Sequence, residues 1–309
     1  MKRGAQSLSR LKTEQRNRTS ADLDTKSSLE IVRIINTEDA KVALAVKRAL
    51  PQIARAIDLI AGGLRSGGRL IYVGAGTSGR IAALDAVECL PTFNTDPMMV
   101  QFVMAGGVEA LAAAVEANED STQLGRREIA ARNPGNNDVV VGIAASGRTP
   151  FTVAAVQYAR KRGAKTVALT CNRNSPLAKA ADVAIVTEVG PEVISGSTRM
   201  KAGTAQKMVL NMLSTGALTR LRYVYGNLMV NLRQKNEKLI ERAVSIVENE
   251  AGVSREAARL ALKRAGKSVP IALVMLKTGA RRRAAQAAFA NAEGNVRKAI
   301  QLIPPKQRG

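Results

Sequence analysis

Three stretches of this 309-residue chain set hydroxyl residues among glycines where the chain turns. In the first, Gly74-Ala75-Gly76-Thr77-Ser78-Gly79 follows the apolar run Leu70-Ile71-Tyr72-Val73. In the second, Ala144-Ala145-Ser146-Gly147-Arg148-Thr149-Pro150 follows Val139-Val140-Val141-Gly142-Ile143. The third, Ser195-Gly196-Ser197-Thr198-Arg199-Met200-Lys201, opens a long run of helix formers. Glycine lets a backbone pass close to a ligand, and a helix start offers unpaired N–H groups and the positive end of a dipole. The chemistry such turns suit is the holding of a phosphate or another anion. Gly74-x-Gly76-x-x-Gly79 also has the spacing of a dinucleotide turn. That reading wants an acidic residue about 20 positions on, at the end of a second strand. Position 94 is Asn, and Asp96 precedes the next strand.

The sequence contains no histidine, so acid–base work falls to Glu, Asp, Lys or Tyr. Cys89 and Cys171 have no paired spacing, which argues against a metal site or a disulfide framework and fits a reducing cytosol. The polar start Met1-Lys2-Arg3-Gly4 is unlike a secretory signal, and no run of about 18 apolar residues suggests a membrane span. Net charge is +22, with 19 Lys and Arg against 6 Asp and Glu from residue 220 onward. Nucleic acid is one reading of that excess, but the cations are spread along helices without interleaved aromatics, which favours a solvated basic face. Arg199 and Lys201 stand at the start of the third stretch's helix, against the dipole, so an acidic group or anion is expected beside them. Ser197 or Thr198 can cap that helix.

The elements that must position these turns read as alternating strands and helices. Strands are expected near 69–73, 98–104, 138–143, 165–170 and 182–186, with helices near 79–89, 107–118, 121–132 and 150–162. Continuous apolar strands alternating with helices predict a doubly wound, five-stranded parallel sheet of the α/β class, with its ligand at the carboxyl ends of the strands. Helices over 29–36, 38–50 and 51–66 precede it. The expected organisation is an N-terminal helical segment (1–59), the sheet domain (60–223), a connecting helix (224–251) and a C-terminal three-helix module (252–309).

The turns at 76–79, 146–149 and 197–198 resemble those of the sugar isomerase (SIS) domain, which binds phosphosugars. Longer stretches, GAGTSGRIAALDAVECLPT from Gly74, VVVGIAASGRTP from Val139 and GPEVISGSTRMKAGTAQKMVLNMLSTG from Gly190, are similar to the bacterial N-acetylmuramic acid 6-phosphate etherases. So are TEQRN at 13–17 and IINTED at 34–39, and the resemblance covers nearly the whole chain. It implies removal of D-lactate from N-acetylmuramic acid 6-phosphate in cell-wall recycling, by a cytoplasmic homodimer with no metal or cofactor.

By the same resemblance, Gly76, Thr77, Ser78, Ser146, Gly147, Thr149 and Ser197 bind the substrate, with Glu192 reaching toward it. Glu88 and Glu119 are implied as the catalytic pair, one acid and one base, with the roles exchangeable. Taken without the motifs, both would be ordinary solvent-facing carboxylates at helix ends, as their neighbours Glu116 and Asp120 are read to be. The chain departs from the SIS pattern at Ala144, where the phosphate loop usually has Ser, and from the etherase pattern at Val87 beside Glu88 and at Asn118 beside Glu119. The alternative is a non-catalytic phosphosugar-sensing regulator. A SIS-type transcription factor is disfavoured, because no basic recognition helix precedes the first strand.

Overall fold

The computed structural model describes residues 11–113 and 118–303. The chain divides into two compact units: one takes in the residues up to Val87 together with Pro97–Ala217, the other Glu88–Asp96 and the residues from Leu218 on.

The first unit holds five parallel strands: β1 (Leu70–Gly74), β2 (Val100–Met104), β3 (Val139–Ile143), β4 (Lys165–Thr170) and β5 (Val183–Val186). All five lie where apolar runs place them, within two residues at their starts. Every residue of β1 and β3 is buried, as expected when helices cover both faces of a parallel sheet. The strand order is β2-β1-β3-β4-β5, so the winding reverses between β1 and β3. A crevice opens at the carboxyl ends of the two strands on either side of such a reversal. These strands are the ones that lead into the first and second glycine–hydroxyl turns.

Ahead of β1 run α1 (Ser28–Arg48) and α2 (Leu50–Arg65). Two helices were expected where α1 is continuous through Asn36 and Thr37, because the Thr37 hydroxyl donates back to the Arg33 carbonyl within the helix at 2.8 Å. Its start is fixed by a capping box between Ser27 and Glu30. On one face of the sheet lie α2, α3 (Gly76–Phe93) and α7 (Lys201–Arg220); the other carries α4 (Thr122–Ala130), α5 (Pro150–Lys161) and α6 (Pro176–Ala180). Between β2 and α4 the expected helix over 107–118 is instead a short 3-10 turn, Val108–Leu111, and residues 114–117 lie outside the described ones.

Two polar braces hold the frame. At the amino end of the sheet, Arg69 donates to both oxygens of Asp138 at 3.0 and 2.7 Å. Burial opposes ionisation of Asp138, but Arg69 and the Gly135 N–H outweigh it and hold the carboxyl below its usual range. Beneath the first turn, buried Asp85 of α3 accepts from Tyr72 of β1 at 2.8 Å and from Asn211 and Ser214 of α7 at 2.7 and 3.1 Å.

The second unit is helical: α8 (Glu237–Ala251), α9 (Arg255–Arg264), α10 (Val269–Thr278), α11 (Arg282–Asn291) and α12 (Val296–Gln301). Among the described residues beyond Gly252 there are four short helices, where three were expected. Gly252 and Gly279 end α8 and α10 in left-handed conformation, and Ser254, Ser268 and Asn295 cap α9, α10 and α12. One apolar core joins α8 to these helices through Val244, Val247, Ala258, Leu273 and Ala299. Among the described residues no helix is long and apolar enough to cross a membrane.

Candidate functional site

The carboxyl ends of β1 and β3 open into a cavity of about 360 Å³, within the range of small-ligand sites. Both turns reach it: Gly76, Thr77 and Ser78 on one side, Ser146 and Thr149 on the other.

The two turns present their hydroxyls differently. In the first, Ser78 is buried and its hydroxyl donates to Oε1 of Gln206 on α7 at 3.0 Å. The helix α3 starts at Gly76, so the N–H groups of its first turn face the cavity end without helical acceptors. In the second, Ser146 Oγ accepts from the Arg148 N–H at 3.1 Å, which leaves its O–H to donate elsewhere. Thr149 holds the cap position of α5 but makes no side-chain capping bond, and Pro150 follows it. Gly147 has φ +67°, and a Cβ there would stand 2.3 Å from the Ser175 hydroxyl, so conformation and space both require glycine.

Glu119 joins the two turns. Its carbonyl accepts from the Phe151 N–H in the first turn of α5 at 3.0 Å. Its carboxylate lines the cavity, with Oε1 2.9 Å from where a Cβ on Gly76 (φ +53°) would stand. Arg80 of α3 also lines the cavity and donates to the Leu111 and Ala113 carbonyls at 3.1 and 2.8 Å, holding the chain ahead of Glu119.

The third stretch contributes Thr198 to the cavity lining, and Ser197 is not among the lining residues. It does not cap α7 with Ser197 or Thr198 either: the Glu192 carboxylate accepts from the N–H groups of Lys201 and Ala202 at 3.0 and 2.9 Å. Glu192 is fully buried at that helix start and does not line the cavity; burial pushes its carboxyl above the usual range. The acidic partners expected beside Lys201 are present, since its Nζ meets Glu38 of α1 at 2.5 Å with both side chains buried. Burial opposes the charge on Glu38, yet hydrogen bonds from Lys201, Lys41 and Thr19 bring its carboxyl down to about 2.

Glu88 is exposed on α3 and belongs to the second unit, whereas Glu119 belongs to the first. Cys171 is buried, which pushes its thiol up to about 12 and makes it a small apolar group. Of the charged lining residues, Glu14 and Arg80 carried no individual expectation. Glu14 falls inside the 13–17 motif, where only the motif match could have marked it.

A parallel five-stranded sheet with phosphate-type turns at its reversal point is an arrangement the SIS class shares with other doubly wound folds, and it is the SIS domain model that matches, over residues 130–216. A model of the glucokinase regulatory protein N-terminal SIS domain matches residues 52–160. The phosphoheptose isomerase of Francisella tularensis shares the fold, with a TM-score of 0.50 at 21% identity, covering 62% of this chain and 98% of that one. An N-acetylmuramic acid 6-phosphate etherase of Symbiobacterium thermophilum is 60% identical over 88% of this chain and 90% of its own length. Those of Clostridium beijerinckii and Klebsiella aerogenes are each 49% identical, over 97% and 95% of this chain and 98% of their own lengths. The chain belongs to the N-acetylmuramic acid 6-phosphate etherase family.

Proposed function

We propose that this enzyme cleaves the D-lactyl ether of N-acetylmuramic acid 6-phosphate, giving N-acetylglucosamine 6-phosphate and D-lactate. The observation that carries the reading is the position of Glu119, whose carboxylate lies against the first turn while its carbonyl ties to the helix behind the second. A phosphate held by Ser146, Thr149 and the N–H groups at the two helix starts leaves the sugar extending across the cavity past Glu119. Opening of the sugar ring gives a C1 aldehyde, which acidifies the C2 proton. Glu119 takes that proton, and the electron pair forms the C2–C3 double bond as the lactyl oxygen leaves C3 with a proton from an acid. Water then adds at C3 and a proton returns to C2, so the net change is hydrolysis of the ether. The family motif points to Glu88 as the acid, and the roles of the two glutamates are exchangeable on the residues alone. A homodimer acting in the cytoplasm, in cell-wall recycling and amino sugar catabolism, accompanies this reading.

The non-catalytic regulator is not favoured: a regulatory-protein SIS model matches only residues 52–160, whereas relatives bearing the etherase name align over nine-tenths or more of their own lengths. The test is lactate release from a panel of 6-phospho sugars with and without the lactyl ether. Release from N-acetylmuramic acid 6-phosphate is expected; binding without release overturns the reading. In deuterated buffer, Glu119→Gln should stop exchange of the C2 proton of N-acetylglucosamine 6-phosphate, and continued exchange would remove Glu119 from the role of base.

A further inference from the structure

The cavity holds a second carboxylate from the same compact unit, that of Glu14. It lies in a short 3-10 turn, Lys12–Glu14, well ahead of α1. A segment without regular structure has no ladder to hold it, and here side chains from distant loops do so. Buried Thr13 accepts from Asn172 Nδ2 at 3.2 Å, and Asn172 Oδ1 accepts from the Lys12 N–H at 3.1 Å. Asn172 Nδ2 also donates to the Ala145 carbonyl at 3.0 Å, which couples this turn to the second glycine–hydroxyl turn. On the other side the Ser195 hydroxyl donates to the carbonyls of Glu14 and Gln15 at 3.3 and 3.0 Å. Further along, Ser20 donates to the Val193 carbonyl at 2.7 Å.

None of these bonds uses the Glu14 carboxylate. Its Oε2 instead stands 3.1 Å from where a Cβ on Gly196 would be, at the side of the cavity lined by Thr198. The anchorage therefore fixes the backbone and aims an acidic group at the ligand. Its charge decides what it meets. A phosphate dianion is repelled by a carboxylate, and Arg80, the cation of the lining, is already bonded to two carbonyls. A carboxylate is an acceptor only, so its natural partner is an O–H donor on the uncharged part of the ligand.

We infer that Glu14 is a substrate-binding residue that accepts a hydrogen bond from a sugar hydroxyl of the ligand in this cavity. This rests on the phosphosugar reading above but names a contact separate from Glu119 and Glu88. Glu14→Gln keeps the shape and every backbone anchor, so it isolates the charge; Glu14→Ala removes the acceptor. Affinities for N-acetylglucosamine 6-phosphate and for inorganic phosphate are to be measured by calorimetry on the full chain, with thermal melts for each variant. The expected result is a loss of sugar phosphate affinity of about tenfold in Glu14→Gln and more in Glu14→Ala, for loss of a charge-assisted hydrogen bond. Inorganic phosphate affinity should stay within about twofold of the parent on the same argument. Equal losses for both ligands, or no loss for either, overturn the inference. At saturating substrate Glu14→Gln should still exchange the C2 proton, and its abolition would make Glu14 a base rather than a binding group. If the parent protein releases no lactate while the affinity pattern holds, the etherase reading fails and the Glu14 contact stands.

Discussion

The two turns at the carboxyl ends of β1 and β3 are written with nearly the same residues and do different work. Each has an apolar strand, a glycine in left-handed conformation and a hydroxyl pair at a helix start, inside the first turn of α3 in one case and ahead of α5 in the other. In the first, the Ser78 hydroxyl points into the protein and donates to Gln206. In the second, the Ser146 and Thr149 hydroxyls are not used up in that way: one only accepts and the other leaves its cap position unmade. A phosphate needs donors. The second turn supplies them from side chains, and the first can supply them only from Thr77 and its backbone. The lesson is that a hydroxyl counts toward a ligand according to where its proton already goes.

The largest effect should come from Gly147→Ala. The residue would be forced into left-handed backbone and against Ser175, at a cost of about 3 kcal/mol, read in urea melts. A cost below about 1 kcal/mol would mean that the second turn is not rigid. Next, Thr149→Val keeps the volume and removes the donor. Sugar phosphate affinity should fall about 30-fold, the value of about 2 kcal/mol for a hydrogen bond to a charged group, with the melting temperature little changed.

Acid should separate the turns as well. Gln206, which backs the first turn, is carried by α7, whose start rests on the Glu38–Lys201 pair. The Glu38 carboxyl sits at about 2 in the fold against an ordinary 4.5, so its stabilising contribution is full above pH 4.5 and is lost as pH falls toward 2. Glu192, raised by burial, acts in the opposite sense and blunts the loss. Amide exchange should therefore show α7 losing protection before β3 and α5 over that interval; the reverse order breaks the comparison. The smallest effect belongs to Ser78→Ala, about 1 kcal/mol of stability for leaving Gln206 Oε1 without its donor, and less than about twofold in affinity. If Ser78→Ala weakens phosphate binding as much as Thr149→Val, the two turns are equivalent after all.

The sheet was legible because each strand is an apolar run closed by glycine or polar residues, and the turns because glycines and hydroxyls cluster there. Asn36-Thr37 looked like a helix break, yet a threonine bonded to its own helix passes through one. The cap of α7 was not legible, since Glu192 lies nine residues before Lys201 in sequence and arrives through a loop rather than by local spacing. The Tyr72–Asp85–Asn211–Ser214 cluster was hidden for the same reason: its members are scattered over three elements and each looks ordinary alone. Lys201 was the exception: a cation at a helix start pointed to an anion or acidic group nearby, and Glu38 is that partner. Glu14 shows the limit of pattern: a motif can mark a segment, but which of its side chains faces a ligand depends on residues more than 150 positions away.

That last separation has a consequence for how the molecule is made. Lys12 and Thr13 leave a ribosome well before their partner Asn172, which follows 160 and 159 positions later. At a synthesis rate of about 5–20 residues per second, the segment waits roughly 8–30 seconds for its docking surface. A half-made chain can build β1, β2 and β3 with both turns, but its cavity still lacks the wall that bears Glu14. The binding site is therefore completed only once Asn172 has been made and the earlier segment can close on it.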